Sequence, residues 1–248
     1  MSVGLDPVKH VCKIFVDFDG TITKQDIGEQ LFLNFGDTEK AEDIIKRISS
    51  RELTSVEGWK ALFEILSAEG GSIDELTNFV RSFEIDKAFH RLVSFAQEQQ
   101  VEMIILSDGF EFYIRTILER ENITGIPIYS NRLIEDGSGK PQPVFPYRDE
   151  ECKDCANCKR NHVIENSGDD EFTVYIGNGS SDVCPAQYCD FIFAKDSLRK
   201  FCEKEKVTFF PYDNFNDVVS KLETLFAKKR LKKRHQAELK RKNLYKLG

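Results

Sequence analysis

The chain has 248 residues, 40% of them apolar and 31% charged, with 20 phenylalanines and a formal net charge of −7. That composition supports a packed core and excludes a largely disordered or collagen-like chain. No apolar run approaches the ~20 residues a helix needs to span a bilayer, and residues 1–11 lack the apolar stretch of a secretory signal. Seven cysteines, an odd number in a chain this long, fit a reducing compartment, so a cytoplasmic protein is expected.

Charge is distributed unevenly. Residues 228–248 hold ten Lys or Arg and one acid, Glu238; removing these from totals of 35 basic and 42 acidic residues leaves 25 and 41, a body of −16. Such a body argues against nucleic acid as its ligand.

In chain order, residues 12–18 are the first of five short β-forming runs that end in polar residues. The others are 101–107, 173–177, 190–194 and 207–211. Near-continuous apolar runs of this length suit strands buried on both faces of a parallel sheet. Residues 110–121 and 215–226 carry helical apolar spacing, and strands alternating with helices indicate an α/β fold with a doubly wound parallel sheet. About 80 residues separate the first two strands. They read as helices over 27–35, 41–48, 56–66, 73–83 and 89–97, too many for one crossover. The expected division is therefore a core of 1–24 and 98–226, a helical cap of 25–97, and a basic tail of 227–248. A hairpin near 128–148, around Glu135-Asp-Gly-Ser-Gly139, is expected within the core. The tail reads as a solvated, partly frayed helix. Contact with anionic surfaces or docking on the acidic body are the alternatives.

In open parallel sheets ligands bind beyond the carboxyl ends of the strands. The first run closes with Asp17-Phe18-Asp19-Gly20-Thr21, the second with Ser107-Asp108-Gly109, and a later one with Gly177-Asn178-Gly179-Ser180-Ser181-Asp182. Hard oxygen ligands converging at one sheet edge suit Mg²⁺. Glycine-bearing loops and the Ser107 hydroxyl suit phosphate oxygens. Taken singly, each signal has an ordinary structural reading. The first is an Asp-Gly turn, Ser107 a helix cap, and Lys159 a solvated charge. Four signals in order at strand ends carry the chemistry.

This arrangement resembles the haloacid dehalogenase superfamily of phosphatases. Asp17–Thr21 is similar to its first motif, Ser107 to its second, Lys159 to its third, and the 177–182 loop to its fourth. The helical insertion is similar to the phosphoserine phosphatase-like subfamily. Residues 129–137 and the Cys-rich segment before Lys159 resemble its methionine-salvage members, and 177–185 also the phosphoethanolamine/phosphocholine phosphatases.

The resemblance implies a Mg²⁺-dependent phosphatase acting on a small phosphorylated metabolite through a phosphoaspartate. Asp17 would be the nucleophile and Asp19 the general acid and base. Ser107, Asp108, Gly109 and Lys159 would hold the substrate, and Asp17, Asp19, Asn178 and Asp182 the metal. The implied substrate is 2-hydroxy-3-keto-5-methylthiopentenyl-1-phosphate, with phosphoserine, phosphoethanolamine or phosphocholine as alternatives. The family places Asp where this chain has Asn178. Losing that charge weakens metal binding, so a catalytically weakened protein that binds a phosphorylated ligand is the remaining alternative.

Asp26 reads either as a substrate contact or as the cap of the helix that follows it, and Trp59 and Lys60 either as substrate contacts from the cap or as ordinary helix core and surface respectively. Cys152, Cys155, Cys158 and His162 have ligand types and spacing for Zn²⁺, although all four lie within eleven residues; a reduced loop is the other reading. The sequence sets no oligomeric state.

Overall fold

Side chains of residues 12–16 divide between two apolar layers. Ile14 and Val16 join one and Phe15 the other, all three fully buried. A strand without a polar face must be covered on both sides. β1 (Cys12–Val16) is accordingly the central strand of a seven-stranded sheet in the computed structural model, which describes residues 11–69 and 71–244.

After β1 come α1 (Ile27–Phe35), α2 (Thr38–Ser49), α3 (Ser55–Glu69), α4 (Ile73–Val80) and α5 (Phe89–Gln99). Then follow β2 (Glu102–Phe110), α6 (Glu111–Arg120), β3 (Ile128–Glu135), β4 (Pro141–Val144), α7 (Lys159–Glu165) and β5 (Phe172–Gly177). The chain continues with α8 (Val183–Ala186), β6 (Phe191–Ala194), α9 (Asp196–Lys204), β7 (Phe210–Pro211), α10 (Phe215–Phe226) and α11 (His235–Leu244). The sheet order is β4-β3-β2-β1-β5-β6-β7, parallel except for the β3–β4 hairpin. Apolar residues of α5, α6 and α10 cover one face and those of α7, α8 and α9 the other. This is the expected α/β doubly wound fold. β7 is shorter than the expected run 207–211, because Val207 N–H closes the end of α9 on Cys202 O before the strand begins.

Helices α1–α4 form the insertion. Its two connecting chains pair where Thr23 bridges Ile85, with Asp86 N–H on Ile22 O and Lys24 N–H on Glu84 O. Phe32, Trp59 and Phe63 close an aromatic cluster over Phe110 of β2, seating the insertion on the sheet. The expected cap extends to residue 97 because α5 carries an apolar stripe like its predecessors. The packing puts α5 against β2 and α10 instead, with Phe89 on Phe215 at 5.1 Å.

The described part of the basic tail, residues 227–244, lies on the body. Arg234 donates to the carbonyls of Ala186, Gln187 and Cys189. Arg241 donates to Tyr188 O and to Thr173 Oγ1 and stands 3.6 Å from the buried Asp190. The frayed helix expected from the thin apolar stripe is thus pinned by inward-pointing arginines, which an apolar pattern does not register. All seven cysteines are free. Among the described residues no helix is long and apolar enough to cross a membrane.

Candidate active site

The chain leaves β1 toward β2–β4 on one side and later fills β5–β7 on the other, so the crevice beyond β1 is the switch point of the sheet. Asp17 continues β1 for one residue, its N–H on Ile176 O at 2.9 Å. A single wide turn, Phe18–Ile22, then reverses the chain. Gly20 sits there at φ +69, and a Cβ on it would overlap the Asn178 amide, so glycine lets the first turn and the β5 loop touch.

Lys159, at the start of α7, reaches this crevice from 142 positions along the chain. Its ammonium donates to Asp17 Oδ1 at 2.6 Å, Asp182 Oδ1 at 2.8 Å and Ser181 Oγ at 3.1 Å. Burial pushes the Asp17 carboxyl up to about 7, with the Asp182 charge adding and Lys159 opposing. Burial disfavours the Lys159 ammonium, but the two carboxylates outweigh it and hold the proton on. Asp182 also accepts from Tyr175 OH at 2.7 Å and from the N–H groups of Asn178 and Gly179 at 2.9 Å each. Four donors on its two oxygens make it the clasp of the 177–182 loop. Asn178 faces the first turn, its Oδ1 accepting from Thr21 Oγ1 at 3.2 Å.

Asp19 Oδ1 accepts from Ile27 N–H at 3.0 Å, and Oδ2 from Tyr113 OH at 2.6 Å and Ser107 Oγ at 3.1 Å. Its carboxyl is held well above the usual range by burial, then by the Asp26 charge, with Tyr113 opposing. Ser107 therefore serves Asp19 and does not cap α6, whose N-cap is Phe110. Asp26 caps α1 through Glu29 N–H at 2.9 Å and also opens onto the cavity; burial raises its pKa. Asp108 Oδ1 accepts from Asn157 N–H at 2.8 Å, and burial raises its pKa too.

Asp17, Asp19, Asp26, Asp108, Lys159 and Asn178 line one cavity of about 510 Å³ between the sheet edge and the insertion, with Ser107 and Asp182 fully buried behind them. Its far wall is apolar, with Ile45, Ile48, Leu53, Trp59 and Leu62, and carries Glu29 and Arg51 among its polar groups. Lys60 is exposed and does not line it.

The family model described as "Putative Phosphatase" matches residues 12–209. The chain belongs to this family. A "2-hydroxy-3-keto-5-methylthiopentenyl-1-phosphate phosphatase" of Bacillus mycoides (strain KBAB4) is 32% identical over 217 residues, 86% of this chain and 96% of that one. A protein of the same name from Bacillus cereus (strain ZK / E33L) is 31% identical over 221 residues, 88% and 98% of the two chains. A solved "Phospho-Aspartyl Intermediate Analogue of Phosphoserine phosphatase" shares the fold at TM-score 0.67 and 17% identity, over 86% of this chain and 99% of that one. The phosphatase is thus a phosphoric monoester hydrolase of the haloacid dehalogenase superfamily, phosphoserine phosphatase-like in architecture.

In this phosphatase the zinc expectation is not met. Among the described residues no three His, Cys, Asp or Glu side chains gather as a metal-binding set, Cys152, Cys155, Cys158 and His162 included. Asn157 Nδ2 donates to Ser107 O at 2.8 Å and Tyr129 O at 2.9 Å, so its Oδ1 accepts from His162 Nε2 at 2.8 Å. His162 stacks on Tyr129 at 4.2 Å, and burial lowers its pKa to about 4. Burial also pushes the Cys155 thiol up to about 12, away from the thiolate a metal needs.

Sequence reasoning missed Asn157, Tyr113 and Tyr175 in this phosphatase. Tyr113 and Tyr175 stand in apolar runs and read as core. Asn157 lies in a loop with no periodicity, and only its place two residues before Lys159 marks it.

Proposed function

We propose that this phosphatase uses Asp17 as nucleophile and Asp19 as proton donor and acceptor. The observation that carries the reading is the meeting of Asp17 with Lys159 at 2.6 Å, beside an Asp19 whose environment favours its protonated form. An Asp17 oxygen bonds phosphorus, the ester P–O bond breaks, and the leaving oxygen takes the Asp19 proton. Water then attacks the phosphoaspartate, returns a proton to Asp19, and releases phosphate and free Asp17. Lys159 offsets the phosphate charge, while the Ser107 hydroxyl steadies Asp19.

The donor set fits Mg²⁺, since Asp17 carboxylate, Asp19 carbonyl and Asn178 Oδ1 are hard oxygens at one turn-to-loop contact closed by Thr21 and Gly20. When bound, Mg²⁺ would neutralise charge on the transferring group. We read Asp182, with its four donors, as organising the loop and not as a direct ligand.

The substrate we favour is 2-hydroxy-3-keto-5-methylthiopentenyl-1-phosphate, named for the relatives, because a methylthio-ended chain suits the wall of Ile45, Ile48, Leu53, Trp59 and Leu62. Asp26 and Glu29 in the same cavity favour a second reading, an amine-bearing phosphoester such as phosphoethanolamine or phosphoserine. Turnover of these compounds with Mg²⁺, by the natural chain and by Asp17→Asn, tests the proposal. Activity on the methylthio compound that vanishes in the variant is expected. An active Asp17→Asn protein overturns the mechanism, and preference for an amine-bearing ester overturns the substrate.

A further inference from the structure

Tyr113 is completely buried on α6, yet its hydroxyl ends on Asp19 Oδ2 at 2.6 Å. The space it occupies exists because residue 109 is glycine. A Cβ at that position would fall on the Tyr113 hydroxyl and lie 2.7 Å from Asp19 Oδ2. Tyr113, Ile27 N–H and Ser107 thus meet the Asp19 carboxyl from three elements, and both of its oxygens are fixed. A buried phenol on a carboxylate needs a reason, because a phenylalanine would fill the same volume without a polar group to satisfy.

We propose that Tyr113 is a positioning residue for the leaving-group proton; this rests on the assignment of Asp19 as the acid. As the ester P–O bond breaks, its electron pair moves onto the leaving oxygen, which takes the Asp19 proton. The negative charge left on Asp19 is met by the Tyr113 hydroxyl, already aimed and dry. The hydrogen bond strengthens as that charge develops, so it lowers the barrier and not only the ground state. Tyr113 acts on the orientation and charge of Asp19.

The dependence on leaving group tests this. A leaving group that departs readily as an anion needs little proton transfer, whereas a basic one needs it throughout. Tyr113→Phe, Asp19→Asn and the natural chain are compared with Mg²⁺ on p-nitrophenyl, phenyl and benzyl phosphate, reading kcat/KM, with a thermal melt of each protein. For Tyr113→Phe the expected loss is about 10- to 100-fold on benzyl phosphate and under about threefold on p-nitrophenyl phosphate, within the range general acid catalysis spans.

Equal losses on all three esters, or no loss on benzyl phosphate, overturn the proposal. If Asp19→Asn itself shows no leaving-group dependence, the assignment of the acid fails and Tyr113 with it. If Asp19→Asn shows it and Tyr113→Phe does not, only the role of Tyr113 fails. Should Tyr113→Phe not fold, replacing Tyr113 with 3-fluorotyrosine, which keeps its shape and makes the hydroxyl a stronger donor, must change kcat/KM on benzyl phosphate and leave p-nitrophenyl phosphate unaffected for the proposal to stand.

Discussion

Lys159 stands between Asp17 and Asp182, with its nitrogen 2.6 Å from one carboxylate and 2.8 Å from the other, and all three side chains are withdrawn from solvent. One ammonium separates two like charges that burial alone would drive apart or protonate. The nucleophile and the clasp of the fourth loop therefore depend on the same residue.

Replacing it with Lys159→Met should abolish turnover and also destabilise the fold. Breaking a buried ion pair costs about 3–5 kcal/mol, which for a chain of this size lowers Tm by about 10 °C. Mg²⁺ should restore more of that loss in the variant than it adds to the natural chain. Thermal melts of both proteins with and without Mg²⁺ check this; an unchanged Tm contradicts the role given to Lys159.

Asn178→Asp adds a negative charge where the first turn meets the β5 loop. The Mg²⁺ concentration for half-maximal activity should fall about tenfold, corresponding to ~1.4 kcal/mol after screening and repulsion from Asp17 and Asp182. The maximal rate need not rise, since the added charge also repels the phosphate. A Mg²⁺ titration of both proteins on one substrate decides it, and an equal midpoint would place residue 178 away from the metal.

His162 carries a pH signature. Its pKa in the fold is about 4, set by burial between Tyr129, Tyr147 and Asn157, against about 6.5 unfolded. The unfolded chain takes up the proton first, so this contribution is intact above pH 6.5 and is lost as the pH falls toward 4, at up to about 1.4 kcal/mol per unit. His162→Gln, which keeps a donor for Asn157, should lose less stability between pH 7 and 4.5. Urea melts across that range should show the gap closing by about 2 kcal/mol; a constant gap refutes it.

The tail supplies a stability test independent of catalysis. Asp190 is buried at the start of β6 and accepts from Thr173 and the Arg234 N–H, with Arg241 as its ion-pair partner. Arg241→Ala should cost about 1–3 kcal/mol, leaving the carboxylate short of one partner. The catalytic carboxylates should be untouched, because Arg241 meets Thr173 and Asp190 at strand ends opposite Asp17; its third contact, Tyr188 O, follows Gln187 of the cavity wall, so KM is the quantity to compare with Tm. A change in KM with Tm intact would instead couple the tail to the site.

Much of the fold was legible because β1, β2, β5 and β6 are apolar on both faces, a pattern that a strand acquires when helices cover the sheet from both sides. Three of the polar clusters follow such runs, whereas Lys159 opens α7. Functional groups that look apolar were hidden. Tyr113 and Tyr175 obey core periodicity, and nothing in a one-dimensional pattern shows that each hydroxyl meets a loop carboxylate. For the tail, docking on the body was one of the expected alternatives, but composition counts Arg234 and Arg241 as surface charge and could not show that they point inward. The Cys152–His162 spacing matched a metal site in type and interval, but His162 was already committed to Asn157, a partner only tertiary structure supplies.

Both margins of the sheet end in imino acids. β4 contributes Pro141 and Pro143, alternate residues opposite Glu135 and Leu133, and β7 is two residues long and ends at Pro211. Because proline cannot donate, Pro141 and Pro143 take the positions whose amides would point away from β3. A further strand therefore finds no regular row of donors on that side and almost no length on the other. The protein is guarded against edge-to-edge polymerisation while its long parallel sheet assembles, and a mutation such as Pro143→Val would open that edge without touching the core.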